Sequence, residues 1–153
     1  MFDIDCHIII HKEPRWKIDR CLSSLQGQPV NLHFVVGEDE RPPFKGRAKG
    51  FAMGCAPYVC YVDPDDWVEP NCFARLTENL GPDVVHGWER LVRDGKELGL
   101  NSSYHHAFAI KRGIDLPYEL QTMAVLQHEK RLKIKEIPEV LYTWDLTGGR
   151  YGC

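Results

Sequence analysis

Short apolar runs alternate with amphipathic segments over the first 62 residues, and this order constrains the fold more than any other feature of the chain. Three runs are typical of buried strands: DCHIII, VNLHFVVG and PYVCYV. The segments between them predict two helices: RWKIDRCLSSLQGQ, which carries a stop signal at Gly27, and RAKGFAMGCA. Near-continuous apolar strands separated by helices indicate a parallel sheet covered by helices.

The rest of the chain extends this pattern. EPNCFARLTENLG predicts a helix that Pro70 can start and Gly81 can end. DVVHGWERLVRDGKELGL predicts two strands joined at Asp94-Gly95, a pair typical of hairpin turns. Three further elements complete the prediction: a strand at HHAFAIKRG, a helix at ELQTMAVLQHEKRL and a closing strand with a proline kink at KIKEIPEVLYTWDL. We expect one α/β, Rossmann-like domain over residues 1–153, with a mostly parallel central sheet flanked by helices and a small antiparallel hairpin.

Composition and charge exclude several classes of protein. A chain of 153 residues with 43% hydrophobic and 27% charged residues suits one ordinary globular domain. The formal net charge of -3 argues against a protein that coats nucleic acid, because phosphate binding needs a basic face. No apolar run reaches the ~20 residues of a membrane span, and the acidic N-terminus is unlike a signal peptide. The six cysteines include no C-x-x-C pair, so we expect reduced thiols in a cytoplasmic protein.

Polar residues follow each of the first three predicted strands, at the point where the strand ends. The three segments are HKEP, GEDER and DPDDW. Open α/β sheets bind ligands beyond the carboxyl ends of their strands. We therefore expect the chemistry of this chain to converge at that edge of the sheet.

Three aspartates lie within four positions in the third of these segments. Asp63, Asp65 and Asp66 repel one another on one turn, and a bound cation would relieve this repulsion. Clustered carboxylates suit Mg²⁺ or Mn²⁺, which bind one or two of them together with phosphate oxygens of a substrate. The alternative is a simple turn in which Asp65 or Asp66 caps the following helix.

The residues around this cluster match the pattern of one family. Arg47, Ala48, Lys49 and Gly50 stand where the family-2 glycosyltransferases with a GT-A fold begin their ARN-G motif. The run Asp63 to Trp67 matches their LDSDDW motif, and the segment from 45 to 76 as a whole resembles them. Looser similarity extends to CHIIIHKEP, to IDRCLSSLQGQ and to KRLKIKEIPEVLYTW.

This resemblance implies a short, divergent glycosyltransferase that moves a sugar from a nucleotide-diphosphate donor to a hydroxyl acceptor with inversion. It implies a nucleotide-sugar-binding half at residues 1–66 and an acceptor-side half at residues 67–153. It also implies Mn²⁺ or Mg²⁺ on Asp65, with Asp63 at the metal or the donor ribose. Some members add a late histidine to the metal, and this chain offers Asp145 in that segment instead.

The resemblance places further residues beside the donor. His11 and Glu13 follow the first strand, and Glu38 and Asp39 follow the second, at the family's nucleotide contacts. For each pair, a solvated loop is the alternative. Either Arg47 or Lys49 suits the pyrophosphate, unless both are surface charges of an amphipathic helix.

The resemblance also implies a catalytic base at the start of the late helix, where the family has an acidic pair. Glu119 is the first candidate and Asp115 the second, although Glu119 could instead stabilise the helix N-terminus electrostatically. His105 and His106 are adjacent, so they would point to opposite faces of a strand. One of them could line the site, but neither has a metal-ligand partner at helical spacing, so we expect core or surface histidines.

Two other functions fit parts of the pattern. The changes at HKEP and GEDE favour a non-catalytic module that binds a sugar nucleotide or glycan. Clustered carboxylates with a metal also occur in nucleotidyltransferase-like enzymes, but no glycine-rich phosphate loop is present. The acceptor could be a glycan, a lipid-linked sugar, a protein or a modified DNA base. Because the chain is short, a homo-oligomer or a partner subunit could complete the acceptor site.

Overall fold

The N-terminal apolar run forms the centre of the parallel part of a sheet. In the computed structural model, which describes residues 1–36, 44–102, 106–114 and 132–148, this run is strand β1 (Ile4–Ile10). The other strands of the described residues are β2 (Asn31–Val36), β3 (Tyr58–Tyr61), β4 (Trp67–Val68), β5 (Val84–Arg93), β6 (Lys96–Asn101), β7 (Phe108–Lys111) and β8 (Ile134–Asp145). The helices are α1 (Arg15–Leu25), α2 (Phe44–Phe51) and α3 (Cys72–Glu78). None of these helices is long and apolar enough to span a membrane.

The sheet is mixed, so the prediction of a mostly parallel sheet is wrong. The strand order is β2-β1-β3-β7-β5-β8-β4, and β6 pairs with β5 outside this path. The pairs β1–β2, β1–β3 and β5–β8 are parallel, whereas β3–β7, β5–β7, β4–β8 and β5–β6 are antiparallel. An apolar run indicates that both faces of a strand are covered, and it carries no information about strand direction.

Most of the predicted elements are confirmed. Helix α1 buries Cys21 and Leu25 of its apolar face, and the chain turns away at Gly27, whose φ is +77°. The β5–β6 hairpin turns at Asp94 and Gly95, both with positive φ, as the Asp-Gly pair predicts. The short strand β4 was not predicted, and the predicted helix at 119–132 lies almost entirely outside the described residues.

The proline kink of the closing strand is also confirmed. Glu136 of β8 pairs with His86, whereas Val140 pairs with Trp88, so the register between β5 and β8 shifts around Pro138. Proline cannot donate to a ladder, which explains why the regular pairing is interrupted at this point.

Helix α2 packs closely against β1 because glycine faces the strand. A Cβ atom at Gly50 would overlap the ring of His7, a buried residue of β1. This close approach matters for the site, because α2 carries Arg47.

Gly50→Ala is therefore expected to lower the free energy of unfolding by about 1–3 kcal/mol, the usual cost of overpacking a core. Gly46→Ala on the same helix is the matched control. Its new Cβ would meet only the flexible end of Ile9, at 3.0 Å, and alanine favours helix, so we expect little net loss. Urea unfolding followed by circular dichroism measures both variants. Equal destabilisation would show that the loss arises in the helix itself and not at its contact with β1.

Candidate functional site

The three aspartates lie on a tight turn directly after β3. The backbone N–H of Asp66 donates to the carbonyl of Asp63 at 3.1 Å, and Pro64 occupies the second position of the turn, where its fixed φ fits. The turn directs the three carboxylates to different surroundings. Their chemistry therefore differs, although the residues are nearly adjacent in sequence.

Asp63 is held between two cationic groups and stays partly open to solvent. Nη2 of Arg47 donates to one carboxylate oxygen at 2.6 Å, and Nε2 of His106 lies 3.4 Å from the other. Its side chain is 29% exposed. Burial alone would raise the pKa of Asp63, but the charges of Arg47 and His106 outweigh this effect and hold that pKa well below its usual range.

Asp66 points into the protein, with a side chain that is only 1% exposed. Its carboxylate accepts hydrogen bonds from the hydroxyl of Tyr142 at 2.6 Å and from the backbone N–H of Asp145 at 2.8 Å. Burial raises the pKa of Asp66 well above its usual range, and the nearby charge of His106 opposes only part of this rise. The alternative that Asp66 or Asp65 caps the next helix is wrong, because the residue before α3 is Asn71.

Asp65 is half-buried near the surface of the turn. Its backbone carbonyl accepts a hydrogen bond from Arg20 at 2.6 Å. Burial and the negative charge of Asp63 raise the pKa of its side chain, and Glu13 contributes to the rise while Lys17 opposes it. A carboxylate among other carboxylates is stabilised by an added cation, which fits the predicted metal role.

Arg47 reaches the cluster from α2 over an aromatic ring. Its guanidinium lies 3.3 Å from the centre of the Tyr61 ring, and its Nη1 is buried without a hydrogen-bond partner. A guanidinium that is already desolvated and oriented can donate to an anion with little further loss of side-chain freedom. The predicted phosphate role of Arg47 is consistent with this geometry.

His106 is a component of the site that sequence reasoning did not assign. It is fully buried, as a core histidine would be, but Nδ1 lies 2.6 Å from a carboxylate oxygen of Glu89 on β5. Its ring stacks on Tyr142 with centroids 4.4 Å apart. Burial lowers the pKa of His106, but hydrogen bonds to Asp63 and Glu89 outweigh it and raise the pKa to about 9. A glutamate inside an apolar strand was the one signal available in the sequence.

Asp145 lies in a different environment from the one predicted. Its carboxylate pairs with Arg20 at 2.8 Å and with Lys17 at 3.8 Å, and it accepts the backbone N–H of Thr147 at 2.9 Å. Burial would raise its pKa, but these contacts lower it below the usual value. The metal role of Asp145 stays a prediction, and the described contacts favour an anchor between β8 and α1.

The remaining predicted residues are only partly placed. Glu13 accepts the backbone N–H of His11 at 2.9 Å, in the loop after β1, and lies near enough to Asp65 to affect its pKa. Lys49 is exposed on α2. Four predicted residues lie outside the described part of the chain: Glu38, Asp39, Asp115 and Glu119.

The described residues offer a donor set that fits a divalent cation. Asp63, Asp66 and His106 each present one ligand atom, and these atoms lie within 4.8 Å of one another. Carboxylate oxygen and imidazole nitrogen are common ligands of divalent metals in proteins. Asp63 is thus shared between the predicted set and the set that the structure brings together.

Comparisons with known proteins identify the fold. No protein-family profile and no curated protein sequence matches the chain. Among solved structures, S. aureus TarS 1-349 matches with a TM-score of 0.70 and 12% identity, over 94% of this chain and 60% of that one. The same protein in complex with UDP-GlcNAc matches with a TM-score of 0.71 and 13% identity, over 94% and 58%. A197 from STIV matches with a TM-score of 0.54 and 12% identity, over 90% and 82%.

TarS is a family-2-like glycosyltransferase, so the similarity confirms, at the level of the fold, the resemblance found in the sequence. The chain spans about 60% of the TarS chain that it matches. At this identity the comparison establishes a shared, glycosyltransferase-like fold, and the activity is a separate question.

Asp145→Asn tests whether this residue is an anchor. Because the substitution removes a charge from contacts with Arg20 and Lys17, we expect the free energy of unfolding to fall by about 1–3 kcal/mol in urea titrations. Asp19→Asn breaks an exposed pair with Arg15 and should cost less than about 1 kcal/mol. Unchanged stability combined with weaker Mn²⁺ binding would return Asp145 to the ligand role.

Proposed function

We propose that this chain is a metal-dependent, inverting glycosyltransferase that uses a nucleotide-diphosphate sugar as donor. The observation that carries the proposal is the placement of Asp63, Asp65 and Arg47 together at the carboxyl end of β3. That is the edge at which open α/β sheets bind their ligands. The similarity to the TarS fold supports a nucleotide sugar as the ligand, since TarS has been crystallised with UDP and with UDP-GlcNAc.

The donor diphosphate is assigned to the space in front of Asp63 and Asp65. Arg47 has one desolvated amino group without a hydrogen-bond partner, and it would donate to a phosphate oxygen there. Glu13 and His11 stand in the loop after β1, beside Asp65, where they can contact the nucleoside. Glu38, Asp39 and Lys49 complete the predicted donor contacts.

The departing nucleoside diphosphate gathers negative charge as its bond to the sugar breaks. A divalent cation, when bound by Asp63 and Asp65, would supply positive charge against that leaving group. Arg47 adds a second positive charge from the chain itself. The sugar develops oxocarbenium character in such a displacement, and nearby carboxylates stabilise it.

An inverting transfer needs a base that takes the proton of the acceptor hydroxyl. We assign this role to Glu119, with Asp115 as the second candidate. Residues 1–66 would hold the donor and residues 67–153 the acceptor, which could be a glycan, a lipid-linked sugar, a protein or a modified DNA base. A cytoplasmic location and completion of the acceptor side by another subunit belong to the same proposal.

Metal-dependent binding of nucleotides tests the donor assignment. Isothermal titration with UDP and UDP-GlcNAc, with and without MnCl₂, is expected to show binding that needs the metal. Asp65→Asn should weaken UDP binding in Mn²⁺ about tenfold or more, because it removes a carboxylate ligand. Asp94→Asn, in the exposed hairpin turn, is the matched control and should bind as the unmodified protein does. If neither nucleotide binds with metal, the transferase proposal fails.

Glu119→Gln tests the base. Mass spectrometry of transfer from the donor to a panel of the four acceptor classes is expected to show a loss of about 10²–10⁴-fold, while hydrolysis of the donor by water continues. Asp115→Asn, measured in parallel, should keep transfer. Full transfer by the Glu119 variant together with its loss in the Asp115 variant would exchange the two roles.

A further inference from the structure

The most deeply buried polar pair of the described site is Glu89 with His106. Both side chains are fully buried, and Nδ1 of His106 lies 2.6 Å from Oε2 of Glu89. The other carboxylate oxygen of Glu89 accepts a hydrogen bond from the side-chain amide of Asn101 at 2.5 Å. Burying a charged glutamate in a strand is unfavourable unless its oxygens are hydrogen-bonded. One oxygen of Glu89 is bonded to Asn101 and the other to the His106 ring.

The orientation of the His106 ring is determined on all sides. The Tyr142 ring stacks parallel to it with centroids 4.4 Å apart, and the Trp144 ring packs edge-to-face with centroids 5.3 Å apart. With Nδ1 held by Glu89, Nε2 is directed at the acidic turn. It lies 3.4 Å from Oδ2 of Asp63 and 3.9 Å from Oδ2 of Asp66.

We infer that the inner wall of the donor site adds a histidine to its metal centre: Asp66 and His106 are ligands together with Asp63 and Asp65, and Glu89 is the positioning residue. The inference rests on the proposed function only in assigning the cation to the donor diphosphate. Nε2 of His106 lies 3.4 and 3.9 Å from Oδ2 of Asp63 and of Asp66, and the three ligand atoms all lie within 4.8 Å of one another. Small adjustments of the side chains would let these atoms converge on one ion.

The Glu89 contact is what distinguishes this centre from a buried ion pair of purely structural use. Metal-binding histidines generally donate their second ring N–H to a carboxylate, which sets the tautomer and leaves the other nitrogen for the ion. Access is available from one side, because Asp63 is 29% exposed while Asp66 and His106 are closed in. Asp65 lies on the open side, where the donor phosphates would complete the coordination.

A ligand set with imidazole has a consequence for the choice of metal. Carboxylate oxygens alone suit Mg²⁺, whereas imidazole favours transition metals such as Mn²⁺ and Co²⁺. The structure therefore assigns a preference for Mn²⁺ over Mg²⁺ to this chain.

Pulsed electron paramagnetic resonance of the full chain with MnCl₂ tests the ligand directly. Bound Mn²⁺ is expected to show coupling to the ¹⁴N nucleus of an imidazole, and tenfold excess Mg²⁺ should displace little of it. His106→Gln should lose this coupling. His33→Gln should keep it, because His33 is the matched histidine–carboxylate pair of the chain, bonded to Asp5 outside the metal cluster. Bound Mn²⁺ without ¹⁴N coupling, persistence of the coupling in His106→Gln, or no binding of Mn²⁺ overturns the inference.

Glu89→Gln is the second variant, for the case in which His106→Gln does not fold. Glutamine keeps an acceptor for Nδ1, so the ring stays in place but becomes a weaker ligand. We expect the ¹⁴N coupling to remain and the affinity for Mn²⁺ to fall about 10–100-fold. An affinity equal to that of the unmodified protein contradicts the positioning role.

Adding UDP to the same samples separates this inference from the proposed function. Coupling of Mn²⁺ to ³¹P together with ¹⁴N supports both. Coupling to ³¹P without ¹⁴N overturns the histidine ligand and leaves the donor assignment standing. Coupling to ¹⁴N without ³¹P supports the metal centre and contradicts the assignment of a nucleotide diphosphate as its substrate.

Discussion

The buried carboxylate of Asp66 is the contact on which the rest of the site depends. It accepts hydrogen bonds from the Tyr142 hydroxyl and from the backbone of Asp145, and so it attaches the acidic turn to β8. The same hydroxyl accepts the backbone N–H of Asp63 at 3.2 Å, and the Tyr142 ring supports His106. A buried carboxylate without hydrogen bonds would lower the free energy of unfolding by several kcal/mol. Separating the turn from β8 would break both hydrogen bonds of Asp66, so this separation is unfavourable. The acidic turn is thus attached to β8 through its last residue, whose side chain is buried and hydrogen-bonded.

Charge balance around that turn follows from the same constraint. Asp63 is matched by Arg47 and by His106, and Glu89 is matched by His106 from the other side. Asp145 is matched separately by Arg20 and Lys17, which join α1 to the end of β8. Asp65 lies at the open side of the turn, where burial and the negative charge of Asp63 raise the pKa of its side chain.

The mixed sheet explains how residues from distant parts of the chain meet there. Strand β7 runs antiparallel between β3 and β5, so the start of β7 lies beside the end of β3. His106 lies two residues before the start of β7 and thereby reaches Asp63, which follows β3. A parallel strand at that position would have placed the same histidine at the opposite edge of the sheet. The similarity to TarS at 12–13% identity shows that this fold tolerates extensive change in sequence.

Interactions between residues close in sequence allowed most of the helices, strands and turns to be predicted. The apolar runs, the stop at Gly27 and the Asp-Gly turn determine elements through contacts between near neighbours. The DPDDW segment likewise marks the end of β3 and its acidic turn. The inward path of Asp66 and the pairing of Asp145 with α1 depend on partners 76 to 128 positions away. Strand direction depends on pairings between separate strands, and no local pattern encodes any of these features. The arrangement of His106 on Glu89 is the clearest case. A histidine next to another histidine has no periodic signal, and only the antiparallel insertion of β7 between β3 and β5 brings His106 to the carboxylates of Asp63 and Asp66.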